Sequence, residues 1–197
     1  MTNFNTRSYT KELLDSEDIP FRAIVQNLKE LNIINKWLGG HNITLRGLKS
    51  SIGNASTITI CEVGCGGGDN LFAIYNYCSS HNIKVNFIGI DMNPYCIAFA
   101  QQQYPDLKCK WLCQDYASVE FTEQKPDIIF SSLFCHHFTD EQLVDMLQWM
   151  KQNSNKAFFI NDLQRHWLAY YLIKYITKFF SKSYLVKNDA CLSVCYY

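Results

Sequence analysis

The chain has 197 residues, a length that suits one domain with a substantial hydrophobic core. Hydrophobic residues make up 48% of it and aromatic residues 15%, which excludes an intrinsically disordered chain. Lysine and arginine together number 18, as do aspartate and glutamate, so the formal net charge is zero. Proteins that bind nucleic acid usually carry a basic excess, and we therefore expect no nucleic-acid partner.

The nine cysteines do not form a metal-binding pattern. Pairs such as Cys61 and Cys65 are separated by three residues and no CxxC pair occurs, so we expect no metal site. An odd cysteine count and a polar N-terminal segment without a signal peptide predict a reducing, cytoplasmic location. The most apolar run, residues 167–180, is interrupted by two lysines, so no transmembrane segment is expected.

The first predicted elements are two helices. Apolar residues between Pro20 and Gly39 recur every three or four positions, which predicts one amphipathic helix. A second, short helix is predicted over residues 43–52. We expect residues 1–55 to form an N-terminal helical extension that acts as a lid.

Residues 56–197 alternate between strands and helices. Runs of β-branched and apolar residues predict the strands, and apolar residues at helical spacing predict the helices between them. Short connections of this kind are typical of parallel strands joined by crossover helices. We expect a doubly wound, mainly parallel, Rossmann-like α/β sheet covered on both faces. The predicted strands cover 57–63, 85–90, 108–113, 127–132 and 157–160, and the predicted helices 70–79, 94–103, 140–151 and 164–180.

Candidate ligand-binding residues follow the ends of these strands, where doubly wound sheets bind their ligands. Glycines within residues 64–68 allow the backbone to turn tightly and approach a ligand closely. Asp91 follows the second strand, and its carboxylate can accept both hydroxyls of a ribose. Asp115 and Tyr116 follow the third strand and offer a polar group and an aromatic ring to a base.

Two other nucleotide-binding loops can be compared with the glycine segment. A P-loop requires a lysine followed by serine or threonine, and neither pair follows these glycines. A dinucleotide fingerprint requires GxGxxG, and Asp69 stands at the last glycine position. An NAD(P)-dependent oxidoreductase is therefore disfavoured, but it stays open as an alternative function.

The segment Thr57–Asn70, a hydrophobic strand with Glu62 followed by a GxGxG pattern, resembles the first motif of class I S-adenosylmethionine (SAM)-dependent methyltransferases. Residues 87–91 and 113–115 resemble the second and third motifs. The resemblance implies that SAM is the cofactor, that its ribose is held by Asp91, and that Glu62 orders the loop near its ammonium group. The cofactor-binding residues that it implies are Glu62, Gly64, Cys65, Gly66, Gly68, Asp91, Met92, Asp115, Tyr116 and Ser131.

A narrower resemblance lies in residues 32–41, 134–138 and 160–165, which are similar to small-molecule methyltransferases related to the quinone-biosynthesis group. It implies methyl transfer to an oxygen or carbon of a small aromatic, polyketide-like or quinone-like acceptor. Such proteins usually continue with two antiparallel strands, so we expect the C-terminal part of the sheet to be missing. A homodimer could cover the exposed edge. A non-catalytic SAM-binding module is a further alternative.

Two adjacent histidines, His136 and His137, follow the fourth strand, whose residues 127–132 resemble the strand beside the methyl-transfer site. Unperturbed imidazole titrates near neutrality, so one of the two is predicted to be the general base that removes the acceptor's proton. The alternative role is to orient the following loop or helix. Further candidates, for a lid, for substrate contact or for helix capping, are His41, Asn161, Asp162 and Arg165.

Overall fold

Five parallel strands form one sheet at the centre of the computed structural model, which describes residues 13, 19–162 and 167–193. The strands are β1 (Thr57–Val63), β2 (Lys84–Asp91), β3 (Cys109–Cys113), β4 (Ile128–Ser132) and β5 (Ala157–Asn161). Their order in the sheet is β3-β2-β1-β4-β5, and every neighbouring pair is parallel. The chain starts in the middle of the sheet and continues to either side, which confirms the predicted doubly wound fold.

Helices precede, connect and follow the strands. They are α1 (Phe21–Leu38), α2 (Gly40–Ile52), α3 (Asp69–Ser80), α4 (Pro94–Gln103), α5 (Asp140–Asn153), α6 (Trp167–Phe180) and α7 (Tyr184–Ser193). α2 begins three residues earlier than predicted. Gly39, with a φ of +81°, ends α1 in the left-handed conformation, and its neighbour Gly40 already belongs to the next helix.

Each face of the sheet has its own hydrophobic core. On one face, α2 and α3 pack on the strands through fully buried side chains such as Leu48, Leu71 and Ile74. On the other face, α5 buries Met146 and Met150. Full burial of an aliphatic side chain of this size contributes about 1.5–3 kcal/mol, so these contacts hold the strands in register. The same packing fixes the positions of the loops at the carboxyl ends of the strands.

α7 packs against both α1 and α6, and α1 also packs on α4. Ile24 and Leu28 of α1 share a small core with Phe99 of α4 and Leu185 of α7. The Glu30 carboxylate of α1 accepts hydrogen bonds from hydroxyl and backbone N–H groups in the connection between α6 and α7. Elements from the two ends of the described chain therefore form a single cap.

The described residues after β5 form α6 and α7 and no further strand. Arg165 and the predicted start of the last long helix at residue 164 lie outside the described residues. Among the residues that the structure describes, no helix combines the length and the apolar character needed to cross a membrane.

Candidate cofactor site

A glycine loop follows β1 and folds over the carboxyl end of β2. The N–H groups of Gly64 and Cys65 both donate to the carbonyl oxygen of Ile90, at 2.9 and 3.0 Å. The N–H of Gly66 donates to Oδ2 of Asp91 at 2.8 Å. Two predicted cofactor-binding segments, one after each strand, are thus joined directly by hydrogen bonds.

Two glycines of this loop are required by their surroundings. Gly64 has a φ of +70°, and a Cβ there would lie 2.4 Å from the ring of Phe134. Gly68 has a φ of +78°, and a Cβ there would lie 2.7 Å from the ring of Trp111. Both positions combine a left-handed backbone with a close contact, so glycine is the residue that fits.

A cavity of about 550 Å³ lies at the carboxyl ends of the strands. The glycine loop and the ends of β1, β2, β4 and β5 line one side of it, and α1, α2, α6 and α7 supply the other side. The helical side is largely apolar and includes Leu31, Ile34, Ile173 and Val186. Sites for small molecules and cofactors typically have volumes of about 300–1,000 Å³, and this cavity falls in that range.

The polar part of the cavity wall is acidic. It contains the carboxylates of Glu62, Asp69, Asp91, Asp162 and Asp189, and no lysine or arginine of the described residues. Two unit charges about 4 Å apart interact with roughly 4 kcal/mol at an effective dielectric constant of about 20. The wall therefore attracts a cationic ligand and opposes an anionic group such as a pyrophosphate.

Glu62, at the end of β1, is 1% exposed and faces this cavity. Its Oε1 accepts a hydrogen bond from Asn70 at 3.0 Å, whereas its Oε2 has no hydrogen-bond partner among the described residues. Burial, together with the negative charges of Asp69 and Asp91, raises the pKa of Glu62 well above its ordinary value of 4.5, although the bond from Asn70 opposes the shift. A positively charged group in the cavity would satisfy this carboxylate.

His136 lies in a single 3-10 turn, Cys135–His137, which is separated from the end of β4 by two residues. Its Nδ1 is 3.1 Å from Oδ1 of Asp162, and Oδ2 of the same carboxylate accepts a hydrogen bond from the N–H of Cys135 at 2.8 Å. His136 is 5% exposed, and both residues line the cavity together with His137. Donation from Nδ1 to Asp162 makes Nε2 the proton-accepting nitrogen of the ring.

The backbone that leads into this turn is strained. Leu133 has a φ of +54°, a left-handed conformation that costs a residue other than glycine about 1–3 kcal/mol. Its N–H donates to the carbonyl of Asn161 at 2.8 Å, while the Asn161 side chain donates to Oγ atoms of Thr44 and Ser132 at 3.0 and 3.1 Å. Asn161, predicted for substrate contact or capping, lines the cavity and joins β4, β5 and α2.

His41 connects the N-terminal helices to the glycine loop. Its Nε2 lies 2.7 Å from Oδ2 of Asp69, and both side chains are largely buried. Asp69 is the first residue of α3, where a carboxylate interacts favourably with the helix dipole. Asp69 stands where the dinucleotide fingerprint has its last glycine, and it makes a contact with His41 that glycine could not make.

The fourth strand presents a different serine to the cavity from the one predicted. Ser131 is fully buried, and its hydroxyl donates to the carbonyl of Val63 at 3.1 Å. Ser132, the next residue, lines the cavity. Ser131 therefore links β4 to β1 behind the site.

Four further predicted cofactor residues, Gly68, Met92, Asp115 and Tyr116, lie outside the described cavity lining. Met92 is 69% exposed. Asp115 accepts a hydrogen bond from the N–H of Ala117 at 3.0 Å and so caps a short turn after β3. The ring of Tyr116 packs edge-on against Trp149 with centroids 5.3 Å apart. The cavity and the end of β3 are therefore separate parts of the same sheet edge.

Comparison with known proteins identifies the domain. A family model described as a methyltransferase domain matches residues 60–156. No curated protein matches the sequence significantly.

Solved methyltransferase structures share the fold. The plantazolicin methyltransferase BpumL, in complex with a monoazolic desmethylPZN analog and S-adenosylhomocysteine (SAH), has a TM-score of 0.61 at 19% identity over 88% of this chain. Magnesium protoporphyrin IX methyltransferase (ChlM) from Synechocystis PCC 6803, with bound SAM, has a TM-score of 0.54 at 14% identity over 76% of this chain and 79% of its own. This chain spans 63% of the BpumL chain. Residues 60–156 are therefore a methyltransferase domain at the centre of the doubly wound sheet, and the chain has the fold of these SAM- and SAH-binding methyltransferases.

Proposed function

We propose that the cavity binds SAM and that the chain transfers the methyl group to an oxygen or carbon of a small acceptor. The acidic cavity wall is the observation that carries this proposal. SAM brings a sulfonium and an ammonium group to that wall, whereas NAD(P) would bring a pyrophosphate, which the same carboxylates repel. The SAH of BpumL and the SAM of ChlM support the same cofactor here.

The proposed cofactor contacts follow from the chemistry of each side chain. Glu62 would hold the ammonium group through Oε2, which has no other hydrogen-bond partner among the described residues. Asp91 would hold the ribose; its two oxygens accept from the N–H groups of Gly66 and Asn93, both at 2.8 Å, and these bonds orient the carboxylate. Burial and the neighbouring carboxylates raise the pKa of Cys65 well above its ordinary value, so its thiol stays neutral and does not compete for the methyl group.

The proposed adenine contacts lie toward the end of β3. Asp115, Tyr116 and Met92 would take this part of the cofactor, which requires it to extend beyond the cavity past Asp91. Gly68 and Ser131 would support the site by positioning α3 and β4. Gly64 and Gly66 would lie against the methionine part, since both line the cavity.

When bound, SAM supplies an electrophilic methyl group on a positively charged sulfur. What remains for the protein is to orient the acceptor and to take up its proton. His136 would accept this proton at Nε2, while Asp162 fixes the ring orientation and stabilises the imidazolium that forms. The apolar side chains of α1, α6 and α7 would exclude water from the acceptor.

The proposed acceptor is a small aromatic, polyketide-like or quinone-like molecule. An apolar helical wall that includes Leu31, Ile34 and Val186 supports an acceptor with little charge. Nucleic acid is not proposed as a substrate, because the described cavity wall holds no lysine or arginine to meet a phosphate. The cysteines whose side chains the structure describes are all free, which supports the cytoplasm as the location.

Calorimetric titration with SAM, SAH and NAD tests the cofactor. We expect SAM and SAH to bind and to raise the melting temperature, and NAD to do neither. Stabilisation by NAD without stabilisation by SAH would refute the proposal in favour of an oxidoreductase.

Methyl transfer from labelled SAM to a panel of phenols and quinone precursors tests the activity. We expect His136→Ala to lower kcat about 10²–10⁴-fold without changing the affinity for SAM. His137→Ala is the matched control and should lose less than about tenfold, since Asp162 orients the other ring. A larger loss in His137→Ala would assign the base to that residue, and no turnover on any acceptor would favour a non-catalytic SAM-binding module.

A further inference from the structure

The outward face of α6 carries an exposed aromatic stripe. Tyr171, Tyr175 and Phe179 follow one another at four-residue spacing and are 44%, 55% and 72% exposed. Leu172, 48% exposed, extends the stripe. The inward face of the helix is already packed, since Ile173 is 5% exposed and lines the cavity. The stripe is therefore an additional apolar surface, and not the side that attaches the helix to the protein.

Lysines lie beside this stripe. Lys174 and Lys178 are exposed and one turn apart on α6, and Lys182 and Lys187 follow on the connection and on α7. Residues 167–188 contain these four lysines and no acidic residue, although the whole chain has no net charge; the Glu30 carboxylate of α1 is the acidic group that binds the connection between α6 and α7. Positive charge is thus concentrated next to the exposed aromatic rings.

We propose that this face of α6 docks onto the surface of a bilayer that contains anionic lipids. Tyrosine and phenylalanine rings enter the interfacial region of a bilayer, and flanking lysines interact with anionic headgroups. No described helix could cross the membrane, so the contact is with the surface. The proposal goes beyond the proposed methyl transfer and does not depend on it.

Two other occupants fit this surface less well. In a symmetric contact between two copies of α6, the row that includes Lys174 and Lys178 would meet its own copy, and like charges repel. Single-stranded nucleic acid is usually bound in a positively charged groove, whereas this surface is the convex side of a helix. An anionic lipid surface matches both the charge and the apolar stripe.

Co-sedimentation with vesicles tests the proposal without SAM or an acceptor. We expect the full chain to bind vesicles of phosphatidylcholine mixed with phosphatidylglycerol, and to bind phosphatidylcholine alone much more weakly. Each lysine near an anionic surface contributes about fivefold to partitioning, so Lys174→Glu with Lys178→Glu should lower it about 25-fold or more. The same charge change at the exposed lysines Lys108 and Lys151, on other parts of the chain, should have a much smaller effect.

The aromatic stripe is tested by a second pair of variants. Tyr175→Ser with Phe179→Ser should reduce vesicle binding at least tenfold. Tyr75 is an exposed tyrosine of α3, away from the stripe, and Tyr75→Ser should leave vesicle binding unchanged. Circular dichroism melting and SAH titration of each variant show whether it is folded. SAH titration and vesicle binding are separate measurements. If the wild type does not bind SAH, the proposed function is overturned, but the membrane proposal is not.

Three outcomes would overturn membrane docking. The wild type could stay in the supernatant with both kinds of vesicle, or bind both equally. It could form a dimer in light scattering that Tyr175→Ser with Phe179→Ser converts to a monomer, which would assign the face to a second copy. It could bind a single-stranded oligonucleotide but no vesicles, which would assign the face to nucleic acid.

Discussion

Replacing Glu62 by glutamine should stabilise the unliganded protein. The Glu62 carboxylate is buried, one of its oxygens has no partner among the described residues, and Asp69 and Asp91 lie near it. A buried polar group left unsatisfied costs about 1–3 kcal/mol, and a charged one costs more. Glutamine removes the charge and keeps the oxygen that accepts from Asn70, so we expect unfolding to require about 1–3 kcal/mol more. For a chain of this length, each kcal/mol raises Tm by about 2–4 °C.

The pH dependence of this effect is a second readout. A carboxyl whose pKa is raised in the folded state stabilises the fold below its unfolded pKa and loses that stabilisation as the pH rises through the folded pKa. The gain in Tm of Glu62→Gln should therefore be small at pH 4.5 and below, and should grow toward pH 8. Differential scanning fluorimetry across this range measures it.

The same substitution should weaken the proposed cofactor contact. A hydrogen bond to a charged group contributes about 1.5–3 kcal/mol, so we expect the affinity for SAM to fall about 10–100-fold. A Glu62→Gln protein that melts below the wild type at pH 8 would refute the argument from buried charge. A variant that binds SAM and SAH as tightly as the wild type would refute the assignment of Oε2 to the ammonium group.

Three further substitutions test other parts of the site. Gly64→Ala places a methyl group against the ring of Phe134 on a left-handed backbone, so we expect a loss of about 2–4 kcal/mol in chemical denaturation. Asp91→Ala should abolish SAM binding in calorimetry. It should also lower Tm, because it removes the acceptor for the N–H of Gly66. A variant that still binds SAM would show that Asp91 does not hold the ribose. Partial burial raises the pKa of Glu30, but hydrogen bonds that include those from the α6–α7 connection outweigh it, and the pKa is lowered. Glu30→Gln should therefore reduce the free energy of unfolding by about 1 kcal/mol at neutral pH. That difference should disappear as the pH falls below 4.5, as followed by Tm.

Elements with a local signal could be predicted closely from the sequence. β1 occupies the predicted residues 57–63 because a β-branched run ends at a glycine, and α4 occupies 94–103 because Asn93 caps it and Pro94 begins it. The start of α2 was predicted too late, since two consecutive glycines suggest a loop. Only the left-handed conformation of Gly39 shows that one helix ends and another begins within a single residue.

Side chains that meet across strands carried no local signal. β4 is buried along its whole length, so alternation could not indicate whether Ser131 or Ser132 faces the cavity. His136 and Asp162 follow neighbouring strands, but their contact becomes predictable only when β4 and β5 are known to be adjacent. The link from His41 to Asp69 depends in the same way on how α2 packs against α3.

The two halves of the cavity have different origins in the chain. The glycine loop and the ends of β1, β2 and β4 lie within residues 60–156, the segment that matches the methyltransferase domain. The opposite wall comes from α1, α2, α6 and α7, which lie outside it. Proteins that share one fold can bind the same cofactor and yet act on different acceptors. We therefore expect the helical wall, which lies outside the matched segment, to determine which acceptor is bound. Because α6 belongs to that wall and also carries the exposed aromatic stripe, a lipid surface would be separated from the cavity by the thickness of one helix. An apolar acceptor dissolved in a bilayer would then have the shortest path to the site.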